Sequence, residues 1–448
     1  MNRVFRLVSL GCAKNLVDSE SLAASLLRRG WTMTPDGPAD LVLVNTCAFV
    51  EEAAQESVDA LLAETENKRR GETRWLGAVG CLPQKYLAGL ADAMPELDLV
   101  VGVGDLWRVD ELAEQLIGSG ERQIALAAPS EARYLDLPRV LSTPPHRAYL
   151  KIADGCSNDC AYCIIGRLRG PFRSRSWDAV LAEARELTGR GVVEISLVAQ
   201  DLTRYGLDLQ PPRSLNELLR ELDEIERLRW LRLLYVHPAR VDEGLARTMA
   251  TGRNIVPYLD IPLQHVSDRM LALMRRPQTK ETTERAVSLL REIAPRMAIR
   301  TTFLLGHPGE TEDDVDELLD FMRRRRFDHV GAFVWSPEEG TASFDLPGRV
   351  DPDTAHERLE RVMTLQQEIS HERLREKIGQ TFEVLVEEVL HKHDDDAYSH
   401  IGRIAQQAPE VDGVTYVRAP REDSCRVGEF ARAVVTETDV YDLFADLV

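Results

Sequence analysis

Short apolar runs alternate with amphipathic segments through most of this chain, and that alternation limits the folds open to it. Three runs near the amino terminus are rich in Val and Leu, as expected of strands buried on both faces; they span residues 4–10, 41–45 and 75–80. Each is followed by a segment with helical periodicity, at residues 19–29, 50–70 and 83–93. Residues 1–115 are therefore predicted to form an α/β domain with an open parallel sheet.

A cysteine follows each of these three strand candidates, at Cys12, Cys47 and Cys81. The carboxyl ends of parallel strands share one edge of a sheet, and ligands usually bind at that edge. Three unrelated buried cysteines would not be expected at the same point of successive repeats. We therefore interpret the three thiols as one ligand set, brought together by the sheet.

A second α/β series follows residues 116–143, whose glycines and prolines predict a connector. Six strand candidates alternate with helical patterns, at residues 149–152, 193–198, 231–236, 257–261, 299–305 and 330–334. Six such units predict a partial or full (βα) barrel over residues 144–352, with its site at the carboxyl ends of the strands.

The last part of the chain changes its pattern. Residues 353–377 are charged and helical, which predicts a strut, and residues 378–448 contain short strand candidates separated by turn residues. These candidates span residues 382–389, 399–405, 414–417 and 428–435. Such a pattern predicts a small β-barrel of the oligonucleotide-binding or TRAM type.

Three more cysteines lie in the loop after the first strand of the second series, spaced C-x3-C-x2-C, at Cys156, Cys160 and Cys163. Closely spaced thiolates hold iron–sulfur clusters, and three of them would leave one iron of a 4Fe–4S cube open. The alternative is a structural zinc site, which needs four N or S ligands, and no fourth Cys or His is close in sequence.

This spacing, with Tyr162 before the last cysteine, resembles the radical S-adenosylmethionine superfamily. Three runs resemble the amino-terminal domain of the methylthiotransferases within it: SLGCAKNLVDSE at 9–20, VNTC at 44–47 and VGCL at 79–82. Further matching runs lie at 259–265, 300–303, 308–311 and 336–341, so the resemblance covers essentially the whole chain.

The resemblance implies S-adenosylmethionine as cofactor and two 4Fe–4S clusters, each held by three cysteines. One cluster would use Cys156, Cys160 and Cys163, and the auxiliary cluster would use Cys12, Cys47 and Cys81. The candidate contacts to S-adenosylmethionine are Gln200 and Asp201 at the end of the second barrel strand, Arg300 for a carboxylate and Gly306 for adenine. Each of these four could equally be a satisfied polar or turn residue at a strand end.

Within the family, the sequence at 11–20 resembles the corresponding segment of the branch that modifies a ribosomal protein. The tRNA-modifying branch usually has the sequence Gly-Cys-Gln-Met-Asn at this point. The resemblance implies insertion of a methylthio group at the β-carbon of an aspartate in small-subunit ribosomal protein twelve. A reductant such as flavodoxin or ferredoxin is implied as well. The alternative is a tRNA adenosine methylthiotransferase with the same clusters.

Charge separates these two substrates. The chain carries a net charge of −19, and residues 378–448 hold 15 acidic against 6 basic residues. An acidic barrel repels phosphate backbones and attracts basic proteins, which argues against direct nucleic-acid binding. A basic patch at Arg167, Arg169, Arg173 and Arg175 could meet a phosphate or an acidic group of the substrate, or form a solvated loop.

The composition also predicts where the protein acts. No apolar run approaches the 18 or so residues that a membrane span needs, and the first 20 residues show no secretory signal. Seven cysteines, mostly outside local pairs, do not resemble the disulfide framework of a small secreted domain. A cytoplasmic protein with no membrane partner is expected.

Overall fold

The computed structural model describes residues 3–390 and 398–448. The amino-terminal strands are β1 (Val4–Ser9), β2 (Thr32–Met33), β3 (Ala39–Thr46), β4 (Thr73–Gly80), β5 (Leu99–Gly102) and β6 (Gln123–Ala125). All pair in parallel, in the order β2-β1-β3-β4-β5-β6. The predicted open parallel sheet is confirmed.

Five helices cover this sheet: α1 (Ala13–Arg28), α2 (Glu51–Arg69), α3 (Cys81–Tyr86), α4 (Ala88–Ala93) and α5 (Val109–Ser119). Leu41 and Leu43 pack on one face with side chains of α1 and α5, whereas Val42 and Val44 pack on the other with side chains of α2. Because both faces are covered, β3 is apolar along its whole length.

The structure extends this sheet beyond the first 115 residues. Helix α5 runs to Ser119, and β6 lies inside the segment predicted as a connector, where it adds the last strand by pairing with β5. A strand of three residues has no periodicity of its own, so the sequence pattern did not reveal it.

The central domain contains β7 (Arg147–Lys151), β8 (Ala153–Asp154), β9 (Arg173–Ser174), β10 (Glu194–Val198), β11 (Trp230–Leu233), β12 (Ile255–Asp260), β13 (Ala298–Leu305) and β14 (His329–Val334). Six strands form a parallel sheet in the order β14-β13-β12-β11-β10-β7, and β8 pairs with β9 in a separate antiparallel ribbon. The sheet does not close between β14 and β7, so the architecture is a partial barrel, as predicted.

The helices of this domain are α6 (Ile165–Arg169), α7 (Trp177–Gly189), α8 (Leu215–Asp223), α9 (Glu243–Thr251), α10 (Asp268–Leu273), α11 (Lys280–Ile293) and α12 (Glu312–Arg325). Three of them begin at capping boxes, in which a Ser or Thr side chain binds the third backbone N–H of the helix. The capping residues are Ser214, Thr279 and Thr311. The main apolar core lies between these helices and the sheet.

Helix α13 (Pro352–Arg375) leads to the last domain, with β15 (Thr381–Val389), β16 (His400–Ile404), β17 (Thr415–Arg418), β18 (Phe430–Thr438) and β19 (Leu443–Leu447). These strands close into a barrel in the order β15-β16-β17-β19-β18. The predicted small barrel is confirmed, but the sequence analysis did not include β19. That strand is short, terminal and closes the barrel by pairing in parallel with β17, a tertiary contact that local periodicity does not encode.

Buried charges attach this barrel to the central sheet. Glu194 of β10 accepts hydrogen bonds from Arg232 Nε at 2.9 Å and from both terminal nitrogens of Arg403 in the barrel, and all three side chains are essentially inaccessible. Burial alone would raise the pKa of Glu194, but Arg403 and Arg232 lower it below its usual value. The carboxylate therefore stays ionised and holds two arginines together.

Within the described residues, no helix is both long enough and apolar enough to cross a membrane.

We expect Glu194→Ala to lower the free energy of unfolding of the barrel by about 3 kcal/mol or more, because it leaves buried Arg232 without an anion and Arg403 with Glu387 alone. Trp230 reports the transition, since its ring packs edge-on against Phe430 of the barrel with centroids 5.1 Å apart. Denaturant unfolding followed by tryptophan fluorescence measures the change.

Glu383→Ala is the matched control, because the Glu383–Arg229 pair joins the same two domains at the exposed surface. Its effect should stay below about 1 kcal/mol. Equal effects of the two substitutions would contradict the importance assigned to the buried cluster.

Candidate functional site

The amino-terminal cysteines meet at the carboxyl edge of the first sheet. Cys47 directly follows β3, Cys81 directly follows β4, and Cys12 precedes α1 in the loop after β1. The approach is close: a Cβ on Gly11, whose φ is +85°, would lie 2.9 Å from the Sγ of Cys47. Glycine is therefore required beside Cys12, and the strands bring together cysteines that are far apart in the chain.

Two of these thiols are buried and one is accessible to solvent. Burial raises the pKa of Cys47, and burial raises that of Cys81 to about 11 despite the nearby Arg169. The dense surroundings of Cys12 also oppose ionisation, but Lys14 and Arg169 outweigh them and lower its pKa. Cys12 is thus the thiol of this set that ionises first.

The second cysteine set lies in the loop that follows β8. Gly155, with φ +77°, lets this loop press against residues 170–171, because a Cβ there would lie 2.2 Å from the carbonyl oxygen of Pro171. Cys156 N donates to Gly170 O at 3.0 Å and fixes the start of the loop. Burial raises the pKa of Cys163 to about 12, and the neighbouring thiols Cys160 and Cys156 add to that rise.

Nitrogen donors face the sulfur atoms of both sets. Asn158 N lies 3.4 Å from Cys156 Sγ, Arg276 Nη1 lies 3.6 Å from Cys160 Sγ, and Arg169 Nη2 lies 3.6 Å from Cys81 Sγ. Three thiols with N–H donors to sulfur fit a 4Fe–4S cluster, whose properties depend on such hydrogen bonds. Among residues 3–390 and 398–448, no three His, Cys, Asp or Glu side chains converge closely enough to hold a single metal ion.

Arg169 connects the two cysteine sets. It ends α6, which begins two residues after Cys163, and it is 2% exposed. Besides Cys81, its guanidinium contacts Asp18 at 2.6 Å, Asp154 at 3.2 Å and the side chain of Asn15. The loop of the second set is thereby held against the edge that carries the first set, so the two sets face each other across the domain interface.

This arrangement corrects the reading of the arginine patch as a solvated loop. Arg169 and Arg175 are buried and bound to carboxylates of the protein. Arg167 remains exposed and Arg173 is half-buried. The sequence did not reveal the ion pairs of Arg169 and Arg175, because their partners are not adjacent in the chain. These partners are Asp18, Asp136 and Glu183.

Two of the predicted cofactor contacts, Gln200 and Asp201, lie together beyond the carboxyl end of β10. Gln200 Nε2 donates to Asp154 at 2.9 Å, while its Oε1 is buried without a hydrogen-bond partner among the described residues. Asp201 is 1% exposed and accepts from Asn158 at 2.9 Å and Arg240 at 2.8 Å. Gln200 thus has a spare acceptor, whereas Asp201 holds the cysteine loop through Asn158.

The other two predicted contacts have structural partners. Arg300 donates to Asp412 of the barrel at 2.7 Å, so its guanidinium already binds a carboxylate of the protein. A Cβ on Gly306, whose φ is +73°, would lie 2.5 Å from that of Ala355 in α13. The close approach of α13 therefore explains this glycine without a ligand.

One residue near the second set was not singled out from the sequence. His237 follows β11, accepts a hydrogen bond from Ala239 N on its Nδ1, and has a buried Nε2 without a partner among the described residues. Burial, followed by Arg276 and Arg240, lowers the pKa of His237 to about 2. The ring is therefore neutral and carries a free N–H donor. A single His in the sequence does not indicate that its ring is buried beside two arginines.

Three family models match successive parts of the chain. Residues 4–102 match Uncharacterized protein family UPF0004, residues 150–322 match the Radical SAM superfamily, and residues 378–448 match the TRAM domain. These matches agree with the sheet, partial barrel and closed barrel described above.

Curated relatives match almost the whole chain. "Ribosomal protein uS12 methylthiotransferase RimO" from Pelotomaculum thermopropionicum is 42% identical, with 99% of this chain and 98% of the relative covered. The protein of the same name from Pelobacter propionicus is 41% identical, with 98% and 97% covered. The chain belongs to the RimO family of radical SAM methylthiotransferases. Membership implies the use of S-adenosylmethionine and 4Fe–4S chemistry.

Solved structures show the same fold at low identity. The radical S-adenosylmethionine methyltransferase TsrM from Kitasatospora setae aligns with a TM-score of 0.55 at 18% identity, over 75% of each chain. The cobalamin-dependent radical enzyme OxsB aligns with a TM-score of 0.52 at 14% identity, over 82% of this chain and 56% of that one. These likenesses support the fold of this RimO-family chain and not a particular substrate.

In cluster-free protein, we expect iodoacetamide to alkylate Cys12 before Cys47 and Cys81 at neutral pH. Cys12 is accessible and its lowered pKa increases the thiolate fraction, whereas its two neighbours are buried with raised pKa values. Peptide mapping by mass spectrometry at increasing times measures the order. Buried Cys425, whose pKa is also raised, is the internal control, and faster labelling of Cys81 than of Cys12 would contradict the electrostatic account.

Proposed function

We propose that this chain inserts a methylthio group at the β-carbon of an aspartate in ribosomal protein uS12. The observation that carries the proposal is the identity of 41–42% to curated uS12 methylthiotransferases over nearly the whole chain. The geometry supports it, because two sets of three cysteines lie at facing edges of two domains. A single radical SAM site would not require the second set.

We propose that each set holds one 4Fe–4S cluster, with Cys156, Cys160 and Cys163 on the radical side and Cys12, Cys47 and Cys81 on the auxiliary side. When bound, these groups supply a 5′-deoxyadenosyl radical from S-adenosylmethionine on one side and hold the sulfur to be transferred on the other. The two edges are held in contact by Arg169, so the target carbon would be placed between them.

The protein's own side chains orient what binds there. Asp201, Asn158 and Arg240 form a hydrogen-bonded group, since Arg240 Nη2 also donates to Asn158 at 3.2 Å. This group fixes the middle of the cysteine loop. The spare acceptor of Gln200 and the spare donor of His237 are suited to the polar groups of S-adenosylmethionine, and we keep Asp201, Arg300 and Gly306 as candidate contacts for the same cofactor.

The charge of the carboxy-terminal barrel would determine which substrate the protein binds. Residues 378–448 carry 15 acidic and 6 basic residues, and an acidic surface favours a basic ribosomal protein over RNA. The alternative of a tRNA adenosine methylthiotransferase is not favoured by this charge. The curated relatives quoted above are all named for uS12.

We propose the division into residues 1–115, a connector at 116–143, the radical core at 144–352, the strut at 353–377 and the barrel at 378–448. Helix α13 supports the strut, whereas β6 lies within the proposed connector. We further propose a flavodoxin or ferredoxin as electron donor and action in the cytoplasm, where thiols stay reduced.

A uS12 peptide with the target aspartate should gain about 46 Da after anaerobic turnover with S-adenosylmethionine and a reductant, because a methylthio group replaces hydrogen. Tandem mass spectrometry should place the added mass on the aspartate. A tRNA anticodon-loop oligonucleotide is the comparison substrate. Modification of that RNA and not of the peptide would overturn the proposal.

Variants separate the two cysteine sets. Replacement of Cys12, Cys47 and Cys81 by Ala should reduce iron from about eight to about four per chain and abolish methylthiolation, while 5′-deoxyadenosine is still formed. The corresponding Cys156, Cys160 and Cys163 variant should form no 5′-deoxyadenosine. Loss of 5′-deoxyadenosine in the first variant with four irons retained would contradict the division of roles.

A further inference from the structure

The ammonium of Lys14 is a buried cation at the boundary between the two cysteine sets. Lys14 is 8% exposed and lies two residues after Cys12. Its Nζ stands 3.6 Å from the centroid of the Tyr235 ring, which belongs to the central domain. Tyr235 follows β11 at the carboxyl edge of the central sheet. Lys14 thus extends from one proposed cluster site to the strand edge that carries the other.

No carboxylate neutralises this cation at ion-pair distance within the described residues. Four ionisable groups act on it: Tyr235, which also hydrogen-bonds it, the thiol of Cys12, Arg169, which is already bound to Asp18 and Asp154, and Asp260, which lies beyond ion-pair distance. A buried charge is costly unless it is paired, and a cation–π contact compensates only part of that cost. The site therefore has a place for an anion.

The backbone of Tyr235 shows that this arrangement is imposed by the fold. Tyr235 has φ +67°, which is rare for a residue with a bulky side chain. The conformation is held by two hydrogen bonds, from Tyr235 N to Asp260 Oδ2 at 3.1 Å and from Leu202 N to Tyr235 O at 3.2 Å. Strain of this kind is kept where the surroundings enforce it, commonly at ligand sites.

We propose that Lys14 binds the side-chain carboxylate of the substrate aspartate. The inference rests on the proposed function and adds the residue that selects the target side chain. The β-carbon of aspartate is bonded directly to its carboxylate carbon, so a β-carbon held between the two cysteine sets brings the carboxylate to their boundary. Lys14 lies at that boundary without a carboxylate partner among the described residues. A charge-assisted pair there gives both affinity and orientation.

The test compares two labelled uS12 peptides that differ only in Asp or Asn at the target position. Their binding to the anaerobically reconstituted full chain is measured by fluorescence anisotropy in the presence of S-adenosylmethionine. We expect the wild-type protein to bind the Asp peptide at least about tenfold more tightly, as a buried hydrogen bond to a charged group predicts. Equal binding of the two peptides by the wild type would overturn the proposal without any variant.

Lys14→Met removes the charge and keeps an unbranched side chain, and Lys14→Arg keeps the charge. Lys14→Met should bind both peptides with nearly equal affinity, whereas Lys14→Arg should retain a preference for Asp. Lys68→Met is the matched control, because Lys68 pairs with Asp98 at 2.5 Å near the opposite edge of the first sheet, and it should keep the wild-type ratio. An unchanged ratio in Lys14→Met would overturn the proposal.

The carboxylate could instead come from the methionine part of S-adenosylmethionine, so a second arm measures cofactor binding. The proposal expects Lys14→Met to bind S-adenosylmethionine and iron as the wild type does. Weaker cofactor binding with an unchanged peptide ratio would assign Lys14 to the cofactor and overturn the proposal. If the wild-type protein formed no methylthiolated product, the proposed function itself would be contradicted. If it formed product but bound the Asp and Asn peptides equally, only the role of Lys14 would be contradicted.

Discussion

The buried guanidinium of Arg169 is the contact on which the geometry of the whole site depends. It lies at the end of the short helix after the second cysteine set and reaches Cys81 of the first set, with Asp18 and Asp154 as its anions. An unpaired arginine at this depth would destabilise the fold, so these partners must be present for the domains to meet. The same ion pairs that neutralise Arg169 therefore bring the two cysteine edges together.

Parallel strands provide the rest of the arrangement. Both α/β sheets present the carboxyl ends of their strands to a common region. Polar or thiol side chains follow those ends, in loops that lie outside the packed core of each sheet. Barrel and core are joined elsewhere, through Glu194 and its two arginines. Because the barrel is attached away from the cysteine edges, Lys14, Gln200 and His237 keep groups available for ligands.

The sequence was sufficient for the features that repeat or have local signals. Three strands of the first sheet, the six strands of the second, the three-cysteine loop and the small barrel were predicted, because apolar periodicity and cysteine spacing are local features of the sequence. The partners of Arg169 and Arg300 were not predictable, since Asp18 and Asp412 lie far away in the chain and meet them only after the domains dock. Strands β2, β5, β6 and β19 and the β8–β9 ribbon were missed for the same reason: each strand is short and is defined by its neighbour.

The central claim is that two iron–sulfur sites face each other across one interface. Electron paramagnetic resonance of the reduced, fully reconstituted chain tests it most directly, because two paramagnetic clusters at facing edges interact magnetically. The account predicts a broadened or split spectrum with faster relaxation than in the variant whose Cys12, Cys47 and Cys81 are replaced by Ala. A spectrum equal to the sum of the signals of the two single-set variants, with unchanged relaxation, would contradict it.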